Sequence, residues 1–363
     1  MRGFKYAFLF VFLALLAVAG FIFVEYKYME ETPIAEPSVT ASAEPVDIIM
    51  PEPVPNPTVT LCAVGDIMMH KGQIWSGYDP ETDTFDYTHF FSEIKHVIDS
   101  ADIAIANLET TFGGRELEFT GYPMFNSPDE LAATIKDAGF DIVVTANNHS
   151  LDRGEKGVLR TLKVLEDHGL SSVGTYASPE SAEQILVSEV NGVRISFLAY
   201  TYGTNGIPIP KGKPYLVNLI EEEKILEDIK KARDLSDIVV AYLHFGQEYQ
   251  LKPSEQQKQL AQLLLENGAD LILGSHPHVV QPGEWIFVEE DGEQIKKYAA
   301  YSLGNFISAQ RYPHTEEGLI LQVTFEKDLE KNRAYTKEIK EFPTFVDKFR
   351  ENGKMRYVVK LQD

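Results

Sequence analysis

Cysteine is nearly absent from this chain, since Cys62 is the single one in 363 residues. A lone thiol excludes an intramolecular disulfide, so the folded part must depend on its apolar core for stability. The sequence also lacks a Gly-x-x-x-x-Gly-Lys-Ser/Thr motif. Without that phosphate-binding loop, the chain is not itself an ATP-dependent ligase of the usual kind.

Basic residues are scarce as well. The chain has 33 Lys and Arg against 55 Asp and Glu, which gives a formal net charge of −22 at pH 7. Such a surface repels nucleic acid and other polyanions unless a metal ion or a local basic patch intervenes. We therefore expect no nucleic-acid partner and no tight, metal-free binding of an anionic polymer.

The longest uncharged apolar run lies near the N-terminus, from Tyr6 to Val24. Its nineteen residues, at about 1.5 Å each in a helix, span roughly 28 Å, which is enough to cross a bilayer core. Arg2 and Lys5 precede the run, which predicts a cytoplasmic N-terminus and an extracytoplasmic remainder. We predict an uncleaved transmembrane anchor over residues 1–27. The alternative is a signal peptide cleaved near Ala17-Val18-Ala19.

The segment that follows is a predicted linker over residues 28–57. Residues 30–57 contain seven prolines, scattered acids and no aromatic residue, a composition that cannot bury a core. Residues 58–363 then form one predicted domain of the size of a large α/β fold.

Apolar strand-like runs alternate with amphipathic helical runs in this domain. Strands are predicted at residues 59–64, 102–106, 141–145, 237–243 and 270–273, and helices at residues 88–99, 128–138, 155–167 and 255–266. Ser127 is the predicted cap of the second helix. The alternation predicts a mainly parallel sheet with covering helices. Hairpins that turn at Asn191-Gly192 and Asp291-Gly292 predict a second, antiparallel-rich sheet packed on the first, and residues 318–363 are predicted to be further strands that close the domain.

Polar side chains follow five of these strands, where each strand ends. Because ligands of open α/β sheets bind at the carboxyl edge of the strands, these side chains are expected to meet in one site. Carboxylates mixed with imidazoles suit manganese, iron(II) or zinc, and their number suits two ions. The candidates are Asp66, His70, Asn107, Glu109, Asn147, Asn148, His149, His244, Glu248, His276 and His278.

Single members of this set also have structural interpretations. Asp66 after Gly65 can be a turn residue, Asn107 and Asn147 can form Asx turns or caps, and a buried His244 can be a hydrogen-bonded core histidine. The pair His276 and His278 is expected on extended backbone, where side chains at i and i+2 point to the same side.

Six separated motifs resemble the CapA family of poly-γ-glutamate capsule biosynthesis proteins, from about residue 60 to residue 310. That family is grouped with the calcineurin-like metallophosphoesterases, so the resemblance implies an α/β fold built as a four-layer α/β/β/α sandwich. The motifs are AVGDIM (residues 63–68), NLE (107–109), ANNH (146–149), HFGQEY (244–249), GSHPHV (274–279) and YSLGNF (301–306).

The resemblance also implies roles for the candidates. His149 would be the general acid for the leaving group. Apart from the resemblance, Glu248 lies four residues after His244 and is a candidate orienting carboxylate, general base or surface acid. The implied metal ligands are Asp66 and His278 for a first ion, Glu109 between the ions, and Asn148, His244 and His276 for a second ion.

The chain departs from the superfamily pattern around the first ion. Met68 stands where Asp-x-His would place a histidine, and it is a poor ligand for hard ions. His70 lies two residues further on and is a candidate replacement. Asn107 and Glu109 stand where a Gly-Asp-x-x-Asp motif is expected, so a single-metal or altered-metal site is an open alternative.

Two functions are compatible with these features. One is a membrane-anchored, extracytoplasmic hydrolase with one or two divalent ions, acting on an anionic polymer or a phosphorylated envelope substrate. The other is a non-catalytic accessory subunit of a polymer synthesis and export complex with a vestigial metal site. The resemblance implies a capsule ligase and small membrane subunits as partners.

Overall fold

The computed structural model describes residues 55–290 and 292–362. The predicted anchor at residues 1–27, almost all of the predicted linker at residues 28–57, and Asp291 of the second hairpin turn lie outside the described residues. No helix within the described ranges is both long enough and apolar enough to span a bilayer.

Eighteen strands and seven α-helices make up this part of the chain. The strands are β1 (Thr58–Ile67), β2 (Tyr78–Asp79), β3 (Thr84–Phe85), β4 (Ile103–Leu108), β5 (Ile142–Val144), β6 (Ser171–Val173), β7 (Leu186–Val190), β8 (Val193–Thr201), β9 (Ile238–His244), β10 (Leu271–Ser275), β11 (Val280–Gln281), β12 (Glu284–Glu290), β13 (Glu293–Ala300), β14 (Ser302–Leu303), β15 (Asn305–Ile307), β16 (Glu317–Asp328), β17 (Arg333–Glu351) and β18 (Lys354–Leu361). The helices are α1 (Lys71–Ser76), α2 (Lys95–Ile98), α3 (Glu130–Asp137), α4 (Gly154–Asp167), α5 (Pro179–Ala182), α6 (Glu222–Leu235) and α7 (Glu255–Glu266).

Two large mixed sheets dominate the described residues. The eight-stranded sheet has the order β18-β17-β16-β1-β4-β5-β6, with β15 paired to the end of β1. Its β1-β4-β5-β6 half is parallel, and its other half is antiparallel. The six-stranded sheet has the order β12-β13-β10-β9-β8-β7, with a parallel centre and an antiparallel strand at each edge.

Three apolar layers hold these sheets in place. Leu61 and Ala63 of β1 belong to the layer shared by the two sheets, whereas Cys62 and Val64 belong to the layer on the outer face with α3 and α4. The third layer packs α6 and α7 against the six-stranded sheet. Because side chains alternate along a strand and both faces of β1 are buried, its sequence reads as a continuous apolar run.

The predicted mixed α/β fold is confirmed, together with the five strands, the helices at residues 155–167 and 255–266, and both hairpins. The prediction of one mainly parallel sheet is wrong. Its strands are divided between two sheets, because each sheet has its own parallel centre. α6 was not predicted.

Two local predictions are also wrong. Residues 88–99 do not form one helix, because Phe90 and Phe91 are both buried and i→i+3 hydrogen bonds break the segment into a 3-10 turn and the single-turn α2. Ser127 does not cap α3. Its hydroxyl is hydrogen-bonded to that of Thr110 at 2.7 Å, and α3 begins after Asp129 without a side-chain cap.

Phe306 is a sensitive point of the core behind the outer face of the larger sheet. Its ring stacks on Phe91 at 5.1 Å between centroids and meets Phe140 edge-on at 5.7 Å. We expect Phe306→Ala to lower the free energy of unfolding by about 3–5 kcal/mol, because it leaves a cavity in a packed core. Chemical denaturation measures this change. The same substitution at the exposed Phe287 is the control, with an expected change within about 0.5 kcal/mol.

Candidate metal centre

The carboxyl ends of strands from both sheets converge on one buried polar cluster. β1 and β4 of the larger sheet deliver acidic and amide side chains, and β9 and β10 of the smaller sheet lead to histidines. All of the following are buried: Asp66, Asn107, Glu109, Asn147, Asn148, His149, His244, His276 and His278.

Asp66 anchors the cluster at the end of β1. The register between β1 and β4 shifts just before it, and a Cβ on the preceding Gly65 would lie 1.9 Å from the carbonyl oxygen of Gly304. Only glycine fits that close approach of two backbones. The carboxylate of Asp66 then accepts hydrogen bonds from Asn107 Nδ2 at 2.7 Å and from His278 Nδ1 at 2.9 Å.

Glu109 is a fully buried carboxylate without a hydrogen-bond partner for either oxygen. Its Oε1 lies 3.8 Å from Nε2 of His244 and 3.7 Å from Nε2 of His278. Burial, and next the negative charge of Asp66, hold the pKa of Glu109 well above its usual 4.5. A buried carboxylate left without donors is costly in a protein interior, which indicates a site built for a cation.

His244 and Asn148 face each other beside Glu109. Nε2 of His244 lies 2.9 Å from Oδ1 of Asn148, and Nδ1 is hydrogen-bonded to Ser275 Oγ at 2.8 Å. The serine fixes the ring, so the Nε2 edge points toward the amide oxygen and the carboxylate. Two of the elements that carry these groups, β9 and β10, are neighbours in register, with Ser275 opposite His244.

His276 and His278 enter the site from a loop, not from extended backbone as predicted. β10 ends at Ser275, and φ is 97° at His276 and 59° at His278, in the left-handed region that non-glycine residues rarely adopt. Such strain is retained mainly where a site requires it. Both rings still reach the cluster, with centroids 5.9 Å apart, and Nδ1 of His276 is buried without a partner.

The cluster fits one or two divalent cations. Ligand atoms lie within 4.8 Å of one another in two groups, Asp66 with Glu109 and His278, and Glu248 with His276 and His278. Burial, reinforced by the neighbouring histidines, lowers the pKa of His244 well below 6.5 and that of His276 to about 3. Both rings are therefore neutral at physiological pH and have a lone pair for a metal ion.

His149 lies on the wall of the cluster and pairs with Asp152. Its Nδ1–H donates to Asp152 Oδ2 at 2.8 Å, and the same oxygen accepts the backbone N–H of Phe125 at 2.6 Å. The Phe125 ring meets the imidazole edge-on at 4.6 Å. These contacts orient Nε2 toward the Asn205 amide, 3.5 Å away on the loop after β8.

Two predicted residues, Asn147 and His70, lie outside these ligand groups, and Glu248 lies at the exposed edge of one of them. Asn147 supports the turn, because its side chain donates to Asn107 and to the Leu108 carbonyl and accepts from the His149 backbone. Glu248 is exposed at the mouth of the site. His70 stands before α1, outside both groups of close ligand atoms.

Met68 is buried and its sulfur accepts a long contact from Ser308 Oγ at 3.8 Å. The sequence left His70 open as a replacement for the missing histidine at position 68, but His70 is not among the close ligand atoms around Asp66. The ring of His70 lies against Phe125 at 5.4 Å, because α1 starts immediately after it and fixes its backbone.

Several residues of the site were not among the candidates from the sequence. Asp152, Ser275 and Asn205 each bond a predicted residue, and Tyr202 packs on the His276 ring at 4.5 Å between centroids. Asp152 had a detectable signal, a carboxylate three residues after His149. Asn205 and Tyr202 lie in the hydroxyl- and glycine-rich segment after β8, whose place at the site only the fold defines.

Comparison with known proteins gives the family. The model of the bacterial capsule synthesis protein PGA_cap family matches residues 60–310, and the chain belongs to this family. It is 30% identical over 280 residues to capsule biosynthesis protein CapA of Bacillus anthracis, covering 74% of this chain and 64% of that protein. It is also 30% identical over 269 residues to PGA biosynthesis protein CapA of Bacillus subtilis strain 168, covering 73% and 67%. The chain thus spans about two thirds of the length of these relatives.

One solved structure supports the fold. A putative 5'-nucleotidase from Staphylococcus aureus, in complex with alpha-ketoglutarate, is similar with a TM-score of 0.50 at 15% identity, over 81% of this chain and 56% of that chain. At that identity the likeness concerns the fold alone. The calcineurin-like phosphoesterase YfkN from Bacillus subtilis has a TM-score of 0.46 at 14% identity, over 80% of this chain and 91% of that chain.

Proposed function

We propose that this protein is a membrane-anchored, extracytoplasmic, metal-dependent hydrolase that acts in capsule polymer biosynthesis or export. The observation that carries the proposal is Glu109, a buried and unpartnered carboxylate between the Nε2 atoms of His244 and His278. Further support comes from membership of the capsule synthesis family and from strained backbone at both His276 and His278.

The proposed ligands fall into two sets around Glu109. Asp66 and His278 lie on one side, and Asn148, His244 and His276 lie on the other. Manganese, iron or zinc bound there would act as a Lewis acid on a substrate oxyanion and would lower the pKa of a water molecule. The protein's part is to orient these groups, since Ser275 holds the His244 ring and Asn107 holds Asp66.

His149 is the proposed proton donor to the leaving group. Asp152 accepts the hydrogen bond of Nδ1, which leaves Nε2 at the site to carry the transferred proton. Glu248, at the mouth beside His276 and His278, is the proposed base or orienting group for an entering substrate.

Residues 1–27 would place the domain at the outer face of the cell membrane. The proposed partners are a capsule ligase and small membrane subunits, and the proposed substrate is an anionic polymer or a phosphorylated envelope component. We further propose that the two sheets with their outer helices form the four-layer α/β/β/α sandwich of metallophosphoesterases. The three apolar layers support this arrangement.

Metal content and turnover of the purified full-length chain test the proposal. We expect bound manganese, iron or zinc by elemental analysis and hydrolysis of bis(4-nitrophenyl) phosphate as a probe substrate. His278→Ala should weaken metal binding by more than about 100-fold, since even partners that only orient a ligand are worth 10–100-fold. The exposed His96 provides the matched control His96→Ala. Unchanged metal content and activity in His278→Ala would overturn the proposal.

A second candidate is the non-catalytic accessory subunit with a vestigial site. It is favoured by the first metal position, where Met68 contacts Ser308 and the amide of Asn107 takes the place of a carboxylate. Complementation in a capsule-forming host separates the two functions. Export supported by His278→Ala but lost on deletion of residues 1–27 would favour the accessory function.

A further inference from the structure

A pocket lined by cations lies beside the candidate metal centre. Its volume is about 340 Å³, and its basic side chains are Lys71, Arg311 and Lys348, with His70 on the wall. The lining residues include no Asp and no Glu. In a chain with a net charge of −22, a concave surface with cations and no acid is a local reversal of the prevailing charge.

These cations are not used in ion pairs. In the ranges that the structure covers, none of Lys71, Arg311 and Lys348 has a carboxylate oxygen within 4.0 Å. Lys348 is half-buried and donates to the Gln310 carbonyl at 3.0 Å. Burial lowers its pKa, the charge of Glu316 opposes this, and the charge of Arg311 lowers it further. An anion in the pocket would offset that repulsion.

The pocket is next to the proposed reaction site. The His70 ring lies 5.4 Å from Phe125, and Phe125 lies 4.6 Å from the proton donor His149. On the other side, Tyr312 follows Arg311 in sequence and packs at 4.4 Å on Tyr249. Tyr249 is in turn 6.1 Å from His278. A ligand in the pocket is therefore separated from the proposed proton donor by the Phe125 ring, and from His278 by the rings of Tyr312 and Tyr249.

The pocket is assembled from distant parts of the chain. Lys71 begins α1, Lys348 lies on β17, and Arg311 follows β15. A Cβ on Gly121 would lie 2.6 Å from the Lys71 backbone nitrogen, so the segment before Tyr122 packs directly on the exit of β1. With Met355 and Tyr357 of β18, five separate segments line the pocket and bring the three cations to one concave surface.

We propose that this pocket is a subsite for an anionic group of the substrate, a carboxylate or phosphate on the same chain as the group that reacts at the metal centre. The subsite rests on the proposed function for its role but binds through its own residues. Arg311 supplies a planar, bidentate donor, and the two lysines supply point charges. An anionic chain would then bind through the cations of this pocket, although the protein as a whole is acidic. A neutral chain would bind more weakly, because it would leave these cations without an ionic partner.

Binding of labelled six-residue probes to the full-length chain in detergent tests the subsite. The probes are hexaglutamate and polyphosphate as two anion sources, and hexaglutamine as the neutral chain. We expect the wild type to bind one or both anions with salt-sensitive affinity and hexaglutamine at least 10-fold more weakly. Arg311→Gln with Lys348→Gln should weaken anion binding by about 10–100-fold, roughly tenfold for each charge-assisted hydrogen bond that the substitutions remove.

The matched control is Lys230→Gln with Lys296→Gln, two exposed lysines outside the pocket. An equal loss in that control, or unchanged binding in the pocket variant, would overturn the subsite. The stronger of the two anions identifies the source. His278→Ala separates the two proposals, because it should keep metal-free anion binding while losing metal. A wild type that binds anions through the pocket but holds no metal would support the subsite and overturn the hydrolase.

Discussion

Glu109→Gln is expected to stabilise the metal-free protein and to remove its response to divalent metal ions. In the folded chain both oxygens of Glu109 lack partners, and the carboxylate lies near the negative charge of Asp66. A neutral amide of the same shape avoids the free-energy cost of burying that carboxylate or of keeping it protonated in the fold, which is about 1–3 kcal/mol or more. The same change removes the ligand that both proposed ions would share. Few substitutions are expected to raise stability while abolishing function so completely.

Thermal and chemical unfolding with and without metal measure both effects. The wild type should unfold at higher temperature when manganese is added, because a ligand of the native state stabilises it. The variant should be more stable than wild type in chelator and should not respond to manganese. Glu289→Gln is the matched control, since that carboxylate is exposed and lies outside both ligand groups, so its loss should leave the metal-free stability within about 0.5 kcal/mol and keep the response to manganese. A variant that is no more stable in chelator and still responds to metal would contradict the prediction.

The pH dependence of the metal-free protein follows from the same residue. The raised pKa means that folded Glu109 keeps a proton which the unfolded chain releases above about 4.5. Stability should therefore fall as the pH rises from about 4.5 toward the raised pKa. This part of the slope should be missing in Glu109→Gln.

The sequence predicted the strands and the site-bearing segments because local pattern carries that information. β1, β9 and β10 are buried on both faces, so each reads as an apolar run with a polar residue at its end. The amphipathic pattern of α7 likewise predicted both of its ends. The residues that close the site were found because they follow these runs directly.

The division of these strands between two sheets was not predictable from local pattern. A parallel strand has the same apolar run in either sheet, and only the shared layer between the sheets decides its partners. The backbone of His276 and His278 was missed for a related reason. An H-x-H segment next to proline favours extended structure locally, and the left-handed conformation at both residues is imposed by the surrounding loops.

The cationic pocket shows the same limit for function. The net charge argued against tight, metal-free binding of an anionic polymer, because a sum over the chain does not record which charges lie close together in the fold. Lys71, Arg311 and Lys348 are far apart in sequence, and no motif connects them. Their juxtaposition depends on β17 returning beside the exits of β1 and β15, which is a property of topology.

His149→Asn is expected to lower kcat by about 10²–10⁴-fold for a substrate whose leaving group must be protonated. His149 belongs to neither group of close ligand atoms, and its ring nitrogens are hydrogen-bonded to Asp152 and Asn205. Metal content should therefore stay at the wild-type level. For a 4-nitrophenolate leaving group, which departs readily as an anion, the loss should be much smaller. Parallel assays with an alkyl and a nitrophenyl phosphodiester measure this difference.

Asp152→Asn refines the same prediction, because it keeps the shape of the side chain and removes its charge. Asp152 Oδ2 accepts from both His149 Nδ1 and the Phe125 backbone, so the loss should be intermediate and should follow the same dependence on the leaving group. His168→Asn, at the end of α4 and outside the cluster, should leave both assays unchanged. An equal loss for both leaving groups, or loss of metal in His149→Asn, would instead place His149 among the groups that hold the metal centre together. The leaving-group dependence thus distinguishes a proton donor from a supporting histidine.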